Sequence, residues 1–216
     1  MGNSKYELEL IPVKIGGTRI ELWTVKRWQD AVERDFENEA QYVDHFPLWI
    51  KIWEASIVLC EHLTQMDLAE HASILELGAG VGLAGMMLGA RGHSVTLTDY
   101  DDDALILLGK NAQHNELKNV RVKKLDWFQA DAAEVYDIII GSELVYKDEL
   151  IKPLLDVMIK HLKTDGKIVI AHDIIRRNTG SFLKNAERHF QIQHTVKMLN
   201  TDGKQHRIAI HSLQLK

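Results

Sequence analysis

The sequence predicts an α/β protein built on a doubly wound, mostly parallel sheet, and three observations predict it. From residue 72 onward, short apolar runs of strand character alternate with amphipathic stretches of helical period. The first of those strands runs straight into a glycine-rich turn, Gly78-Ala79-Gly80-Val81-Gly82, and a helix follows at once. The last two extended segments alternate in polarity and are separated by Asp202-Gly203, a strong antiparallel hairpin signal.

In chain order, residues 1–48 read as an extension ahead of the main domain, which takes up residues 49–216. Extended segments over 6–13 and 18–25, joined through Gly16-Gly17, predict a hairpin. Trp28, Val32 and Phe36, four apart, put one apolar face on a helix. A second helix over 53–63 follows Pro47 and carries Trp53, Ile57 and Cys60 on one stripe. Strands are predicted over 73–77, 94–98, 120–125, 136–141 and 167–172, with helices over 82–90, 104–115 and 150–162. A helix over 181–189 then leads to strands over 191–198 and 207–215. Seven strands with right-handed crossovers and a terminal antiparallel pair are the expected sheet.

Composition narrows the function classes. Apolar residues make up 45% and charged residues 26%, the ordinary globular mixture. With 26 Lys+Arg against 31 Asp+Glu the net charge is −5, which argues against a duplex-coating nucleic-acid binder. A single cysteine, Cys60, excludes an internal disulfide framework and a thiolate metal cage, and fits a reducing cytosol. No apolar run approaches membrane-spanning length and the first residues lack a signal-peptide core, so a cytoplasmic protein is expected. The 11 histidines show no metal-ligand spacing, so no metal is expected. His172-Asp173, at a strand end, reads as a polar terminus, and Arg176-Arg177 with Lys184 as solvated basic surface.

The residues that carry chemistry sit at strand ends. Alternating glycines after Glu76 allow a tight turn and let backbone amides approach a ligand closely. Gly80-Val81-Gly82-Leu83-Ala84-Gly85 also satisfies the dinucleotide pattern G-x-G-x-x-G, so a dinucleotide oxidoreductase is one reading. Glu76 favours another: a cofactor with an amino-acid tail needs partners for an ammonium and a carboxylate, which acidic and backbone groups supply. Asp99 ends the next strand about 20 residues after the glycines, where a carboxylate accepts hydrogen bonds from ribose hydroxyls in either class. Its alternative is a helix cap, the role expected of Asp101 and Asp102. Asp126-Trp127 pairs a carboxylate with a ring, which suits an adenine amino group and face, or an ordinary turn. After the fourth strand, Ser142-Glu143-Leu144-Val145-Tyr146 places an acid and a phenol beyond a carboxyl end of the sheet, where ligands bind in open α/β folds. Capping and rim packing are the plain readings of that pair.

These motifs resemble the class I, seven-strand S-adenosylmethionine-dependent methyltransferases, a Rossmann-like fold. Glu76-x-Gly78-x-Gly80-x-Gly82 is similar to their first motif, Asp99 to their ribose-binding acid and Asp126 to their adenine contact. Within the class, the lysine-targeting branch called methyltransferase family 16 is the most similar. Trp53-Glu54-Ala55 resembles its Trp-Asp-Ala segment, Thr98-Asp99 its second-strand end, Asn111 and Asn115 its paired asparagines, Trp127 its adenine-flanking ring, and Glu143-Leu144-Val145-Tyr146 its acid-x-x-Tyr signature. Departures are Glu where Asp is usual at positions 54 and 143, and Phe128 where Gly commonly follows the Trp. The resemblance implies S-adenosyl-L-methionine as cofactor, held by Trp53, Glu76, Gly78, Ala79, Gly80, Gly82, Asp99, Tyr100, Asp126, Trp127 and Ser142. It implies Glu143 and Tyr146 as catalytic residues orienting a lysine amine, and a protein substrate presenting that lysine, with no nucleic acid or membrane partner and a monomeric enzyme. The Asn/Asp-Pro-Pro-Tyr signature of adenine and glutamine methylation is missing after the fourth strand, which sets those acceptors aside. A small-molecule methyltransferase, a dinucleotide oxidoreductase and a non-catalytic cofactor-fold module remain the rivals.

Overall fold

The structure is a computed structural model describing residues 6–28, 47–129, 134–176, 178–201 and 203–216. The helix expected through Val32 and Phe36 lies outside the described residues, as do Arg177 and Asp202. Strands β1 (Leu8–Ile15) and β2 (Thr18–Val25) form an antiparallel hairpin on the register Leu8↔Val25 to Ile15↔Thr18. Then come α1 (Glu54–Gln65), β3 (Ser73–Glu76), α2 (Leu83–Ala90), β4 (Ser94–Asp99), α3 (Asp102–His114) and β5 (Val120–Lys124). The second half holds β6 (Tyr136–Ser142), α4 (Ile151–His161), β7 (Leu162–Asp173), α5 (Thr179–Ala186), β8 (Phe190–Thr201) and β9 (Lys204–Leu215).

Seven strands join in the order β5-β4-β3-β6-β7-β9-β8. Pairings from β5 to β7 are parallel, whereas β9 runs antiparallel to both β7 and β8, as the Asp-Gly turn predicts. The central strands β3 and β6 are buried almost throughout because both of their faces are covered. Ile74, Leu97, Ile138 and Val169 face one layer, with Leu59 and Leu63 of α1 and Met86 and Met87 of α2. Leu75, Ile139, Ile168 and Ile170 face the other, with Leu154 and Met158 of α4 and Phe182 of α5. Alternate side chains of one strand therefore feed two cores. Strand β7 starts earlier than residue 167, directly after α4, and the β6–β7 register shifts between Tyr136 and Ile138. The polar Lys163-Thr164-Asp165-Gly166 stretch gives no strand signal of its own.

Two asparagines bind the hairpin to the sheet layer. Asn111 Oδ1 accepts the Trp23 N–H at 2.7 Å, and its Nδ2 donates to the Trp23 and Val81 carbonyls at 3.2 and 3.1 Å. One turn later, Asn115 accepts the Glu21 N–H at 2.9 Å and donates to its carbonyl at 2.7 Å. Four helical residues rise about 6 Å and two strand residues about 6.6 Å, so side-chain amides at this spacing stand in for a neighbouring strand. Ile20 and Leu22 of β2 enter the main core beside them.

Strands run outward in both directions from the β3–β6 pair, so the carboxyl ends of those two strands form the topological switch point where such sheets bind ligands. The glycine turn leaves β3 there and Glu143 leaves β6.

Candidate active site

Gly78, Gly80 and Gly82 all have left-handed backbones, with φ of +56°, +54° and +83°. At Gly80 a side chain would be disfavoured twice, strained by that φ and with its Cβ in tight contact 3.3 Å from the Trp49 Cα. Carbonyl and amide bonds from the flanking strands hold the turn: Leu77 N–H donates to Ile140 at 2.9 Å and Ala79 N–H to Thr98 at 2.8 Å.

Two carboxylates back the loop. Glu76 is 3% exposed, and its Oε2 accepts the Gly85 N–H of the first turn of α2 at 2.9 Å. Burial pushes its pKa up to about 8, against the Gly85 hydrogen bond and with help from the Asp99 charge. Asp99 accepts the Gly80 N–H at 2.9 Å through Oδ2, and the Tyr100 and Asp101 N–H groups at 2.8 and 3.1 Å through Oδ1. Burial raises its pKa too. The cap of α3 is Asp101, which accepts from the Asp103 and Ala104 N–H groups, so Asp99 is free of that duty. Asp102, expected as a second cap, instead pairs with Lys124 at 2.7 Å.

Around this loop the other expected cofactor residues divide. Trp127 is half-buried, with its Cζ2 3.8 Å from where a Gly78 Cβ would sit, so its ring lies beside the loop. Asp126 folds its own turn by accepting the Phe128 N–H at 2.9 Å. Tyr100 is 67% exposed, with the Lys124 ammonium 5.6 Å over its ring. Ser142 ends β6 opposite Ala171. Trp53 caps α1 from outside the helix and donates its indole N–H to the Leu48 carbonyl at 2.6 Å.

The region beyond the carboxyl end of β6 is built from side chains. Glu143 has φ +54°, an uncommon backbone for a non-glycine residue, and its N–H donates to the Ala171 carbonyl at 2.9 Å. Its side chain is 9% exposed. Oε1 accepts the Asp173 N–H at 2.9 Å and Oε2 accepts Arg176 Nε at 2.6 Å. Burial raises the Glu143 pKa while the Arg176 guanidinium opposes the rise. The same guanidinium lies 5.2 Å over the Trp53 ring, which also has the Lys51 ammonium 4.3 Å from its centroid. Tyr146 is 43% exposed, and its phenol is pushed up by burial and then by the negative charges of Asp99 and Glu149. Tyr146 thus shares an electrostatic neighbourhood with Asp99.

Two readings of the sequence are corrected. Arg176, taken as solvated surface, is the partner of Glu143; a residue three beyond the end of β7 reaches the end of its neighbour β6 because those strands are adjacent. His172, taken as a polar strand end, is 9% exposed and stacks on His211 with centroids 4.9 Å apart. Burial pushes both imidazoles down to about 4, with help from His211 at His172 and from His194 at His211. Among the described residues no cluster of three or more metal-ligating side chains occurs.

The fold is that of methyl-transferring proteins. A TehB-like S-adenosylmethionine-dependent methyltransferase from Corynebacterium glutamicum superposes with a TM-score of 0.59 over 77% of this chain and 89% of its own, at 21% identity. Precorrin-6y C5,15-methyltransferase from Geobacter metallireducens gives 0.62 over 78% and 91%, at 14% identity. At those identities the likeness is one of fold. The lysine methyltransferase family profile, methyltransferase family 16, matches residues 47–189, and the chain belongs to that family. Among its relatives, protein N-lysine methyltransferase METTL21A of Xenopus tropicalis is 31% identical over 158 residues, 70% of this chain and 73% of the relative. EEF1A lysine methyltransferase 3 of the same species is 26% identical over 159 residues, 71% and 70% of the two chains. A histidine protein methyltransferase 1 homolog of Dictyostelium discoideum is 30% identical over 153 residues, 66% of this chain and 48% of the relative.

S-adenosylmethionine is the methyl donor of this class, and the residues present fit it. Asp99 Oδ1 spends both lone pairs on the Tyr100 and Asp101 amides, whereas Oδ2, bonded only to the Gly80 N–H, keeps one for a ribose hydroxyl. The Gly85 amide, where a dinucleotide pyrophosphate would need the start of α2, is already taken by the Glu76 carboxyl. Two acids behind the loop suit an ammonium and oppose a pyrophosphate.

Proposed function

We propose that the protein methylates a lysine side chain of a protein partner. The observation that carries this reading is the Glu143–Tyr146 pair, which joins a buried acid and a half-exposed phenol at the switch point. S-adenosylmethionine supplies an electrophilic methyl on a sulfonium. The acceptor nitrogen forms the new N–C bond as the C–S bond breaks, and only a neutral amine has the lone pair to do so. A lysine ammonium, with an ordinary pKa near 10.4, first loses its proton to water. Tyr146, its pKa raised, stays protonated near neutral pH and presents oxygen lone pairs to an amine N–H. Glu143 keeps one lone pair on each oxygen for the same purpose. Both groups then hold the nitrogen on the attack axis, which is the main demand of an in-line displacement.

In this reading Glu76 meets the donor's ammonium, Asp99 its ribose, and Asp126, Trp127 and Tyr100 its adenine end, with Trp53 and Ser142 closing the pocket. A monomeric catalyst is part of the same reading. A net charge of −5 favours a protein acceptor over nucleic acid, and the buried thiol of Cys60, the lone cysteine, suits the cytoplasm. The test is incubation with radiolabelled methyl donor and a cell extract, followed by acid hydrolysis of the labelled protein. Methyllysine is the expected product. Label in histidine, or in small molecules alone, would overturn the lysine acceptor while leaving a methyltransferase.

A further inference from the structure

Arg176 raises a chemical problem that the lysine reading, on which this inference rests, does not resolve. A lone carboxylate at the acceptor site stabilises the ammonium, the form that cannot attack. Here the Glu143 carboxylate is already paired at 2.6 Å with a guanidinium that cannot lose its own charge at working pH. We propose that Arg176 is a positioning residue that offsets the Glu143 charge, so that the pocket keeps the hydrogen-bonding geometry of the carboxylate yet takes the acceptor lysine as the free amine.

The geometry supports this on three counts. The Arg176 side chain is 32% exposed against 9% for Glu143, so the guanidinium closes the carboxylate from the solvent side. Its other contact is the Trp53 ring at 5.2 Å, which fixes the plane of the fork by a cation–π contact from a different segment of the chain. Glu143 is held independently by the Asp173 N–H and by its own backbone bond to Ala171, so removing Arg176 leaves the carboxylate in place and changes its field. The other groups about the pair are Asp173 and its partner His206 on β9, His172 on β7, Lys51 and Glu54 beside Trp53, and Tyr146, which feels the Asp99 charge. Of these, His172 is held low by burial and Tyr146 is pushed up by burial, so neither is expected to change charge near neutral pH.

The test is single-turnover methyl transfer from labelled donor to the labelled extract protein, methyllysine being confirmed by hydrolysis, between pH 7 and pH 10. Arg176→Gln is expected to lose about tenfold or more relative to wild type at pH 7.5, and to recover to within about threefold near pH 10, because base replaces the missing charge. That tenfold corresponds to a shift of roughly one pKa unit in the acceptor. Arg176→Lys is expected to keep the wild-type profile up to about pH 9, above which its ammonium begins to lose its proton. The melting shift given by S-adenosylhomocysteine should match wild type in both variants, which verifies the fold. A Gln variant whose profile runs parallel to wild type at every pH, lowered or not, overturns the proposal while the lysine reading stands. A wild type that forms no methyllysine overturns both.

Discussion

The two halves of the cleft are made of different material. On the cofactor side, the loop from Glu76 to Leu83 is fixed by backbone: three left-handed glycines, and carboxylates that spend their hydrogen bonds on amides of Gly80, Tyr100, Asp101 and Gly85. On the side we read as the acceptor's, Glu143 and Arg176 come from different segments and meet through an ion pair, with the Trp53 ring at the edge of the cofactor pocket lying beside the guanidinium. A donor common to many enzymes can be held by geometry that any chain with the right glycines supplies. The acceptor differs from enzyme to enzyme, and its half depends on replaceable side chains.

Asp99→Ala should break the cofactor half most severely. On the ribose reading it removes a charge-assisted bond worth about 1.5–3 kcal/mol, so S-adenosylhomocysteine affinity should fall by about 10- to 100-fold. It also leaves the Gly80, Tyr100 and Asp101 amides without their acceptor, so the ligand-free protein should melt earlier. Normal affinity in a destabilised variant, read by titration and melting together, would show that Asp99 only folds the loop.

On the other half, Glu143→Gln and Tyr146→Phe should each reduce single-turnover transfer by roughly 100-fold, the scale of a misplaced nucleophile. Glu143→Gln preserves an acceptor for the Asp173 N–H, so its fold should persist. Wild-type transfer by both variants would remove these residues from the acceptor site.

The difference between the halves also explains what the sequence made legible. Glycines, a strand-ending acid and alternating apolar runs are local patterns, so the loop, Asp99, the strand alternation and the terminal hairpin could all be read in order. Arg176 could not, because its role depends on β7 lying beside β6, a fact of topology that no local pattern carries. His172 was hidden for the same reason: its partner His211 is on β9, brought close only by antiparallel pairing. The asparagines Asn111 and Asn115 were visible as a pair, yet their purpose, an imitation strand for β2, appears only once the hairpin is docked.

The smallest expected effect separates burial from binding at Glu76. Its folded pKa of about 8 lies above the ordinary 4.5, so the folded chain holds this proton more tightly than the unfolded chain does. Its contribution is fully present below pH 4.5 and is lost as pH rises toward 8, so ligand-free stability should decline across that window. Glu76→Gln removes the ionisation but still accepts the Gly85 N–H. It should therefore raise the melting temperature of the ligand-free protein by several degrees at pH 9 and leave it nearly unchanged at pH 5. The ligand-induced shift should shrink at neutral pH, since the donor's ammonium loses its partner. A variant that melts like wild type at pH 9 would show that Glu76 is not strained by its burial.

The independence of the two halves is tested most directly by calorimetric titration of S-adenosylhomocysteine into wild type and into a chain carrying Glu143→Gln and Tyr146→Phe together. The expected result is a dissociation constant unchanged within about threefold, in a variant whose methyl transfer has collapsed. A tenfold or greater loss of affinity in that variant would contradict the division, and would place Glu143 and Tyr146 among the groups that hold the cofactor.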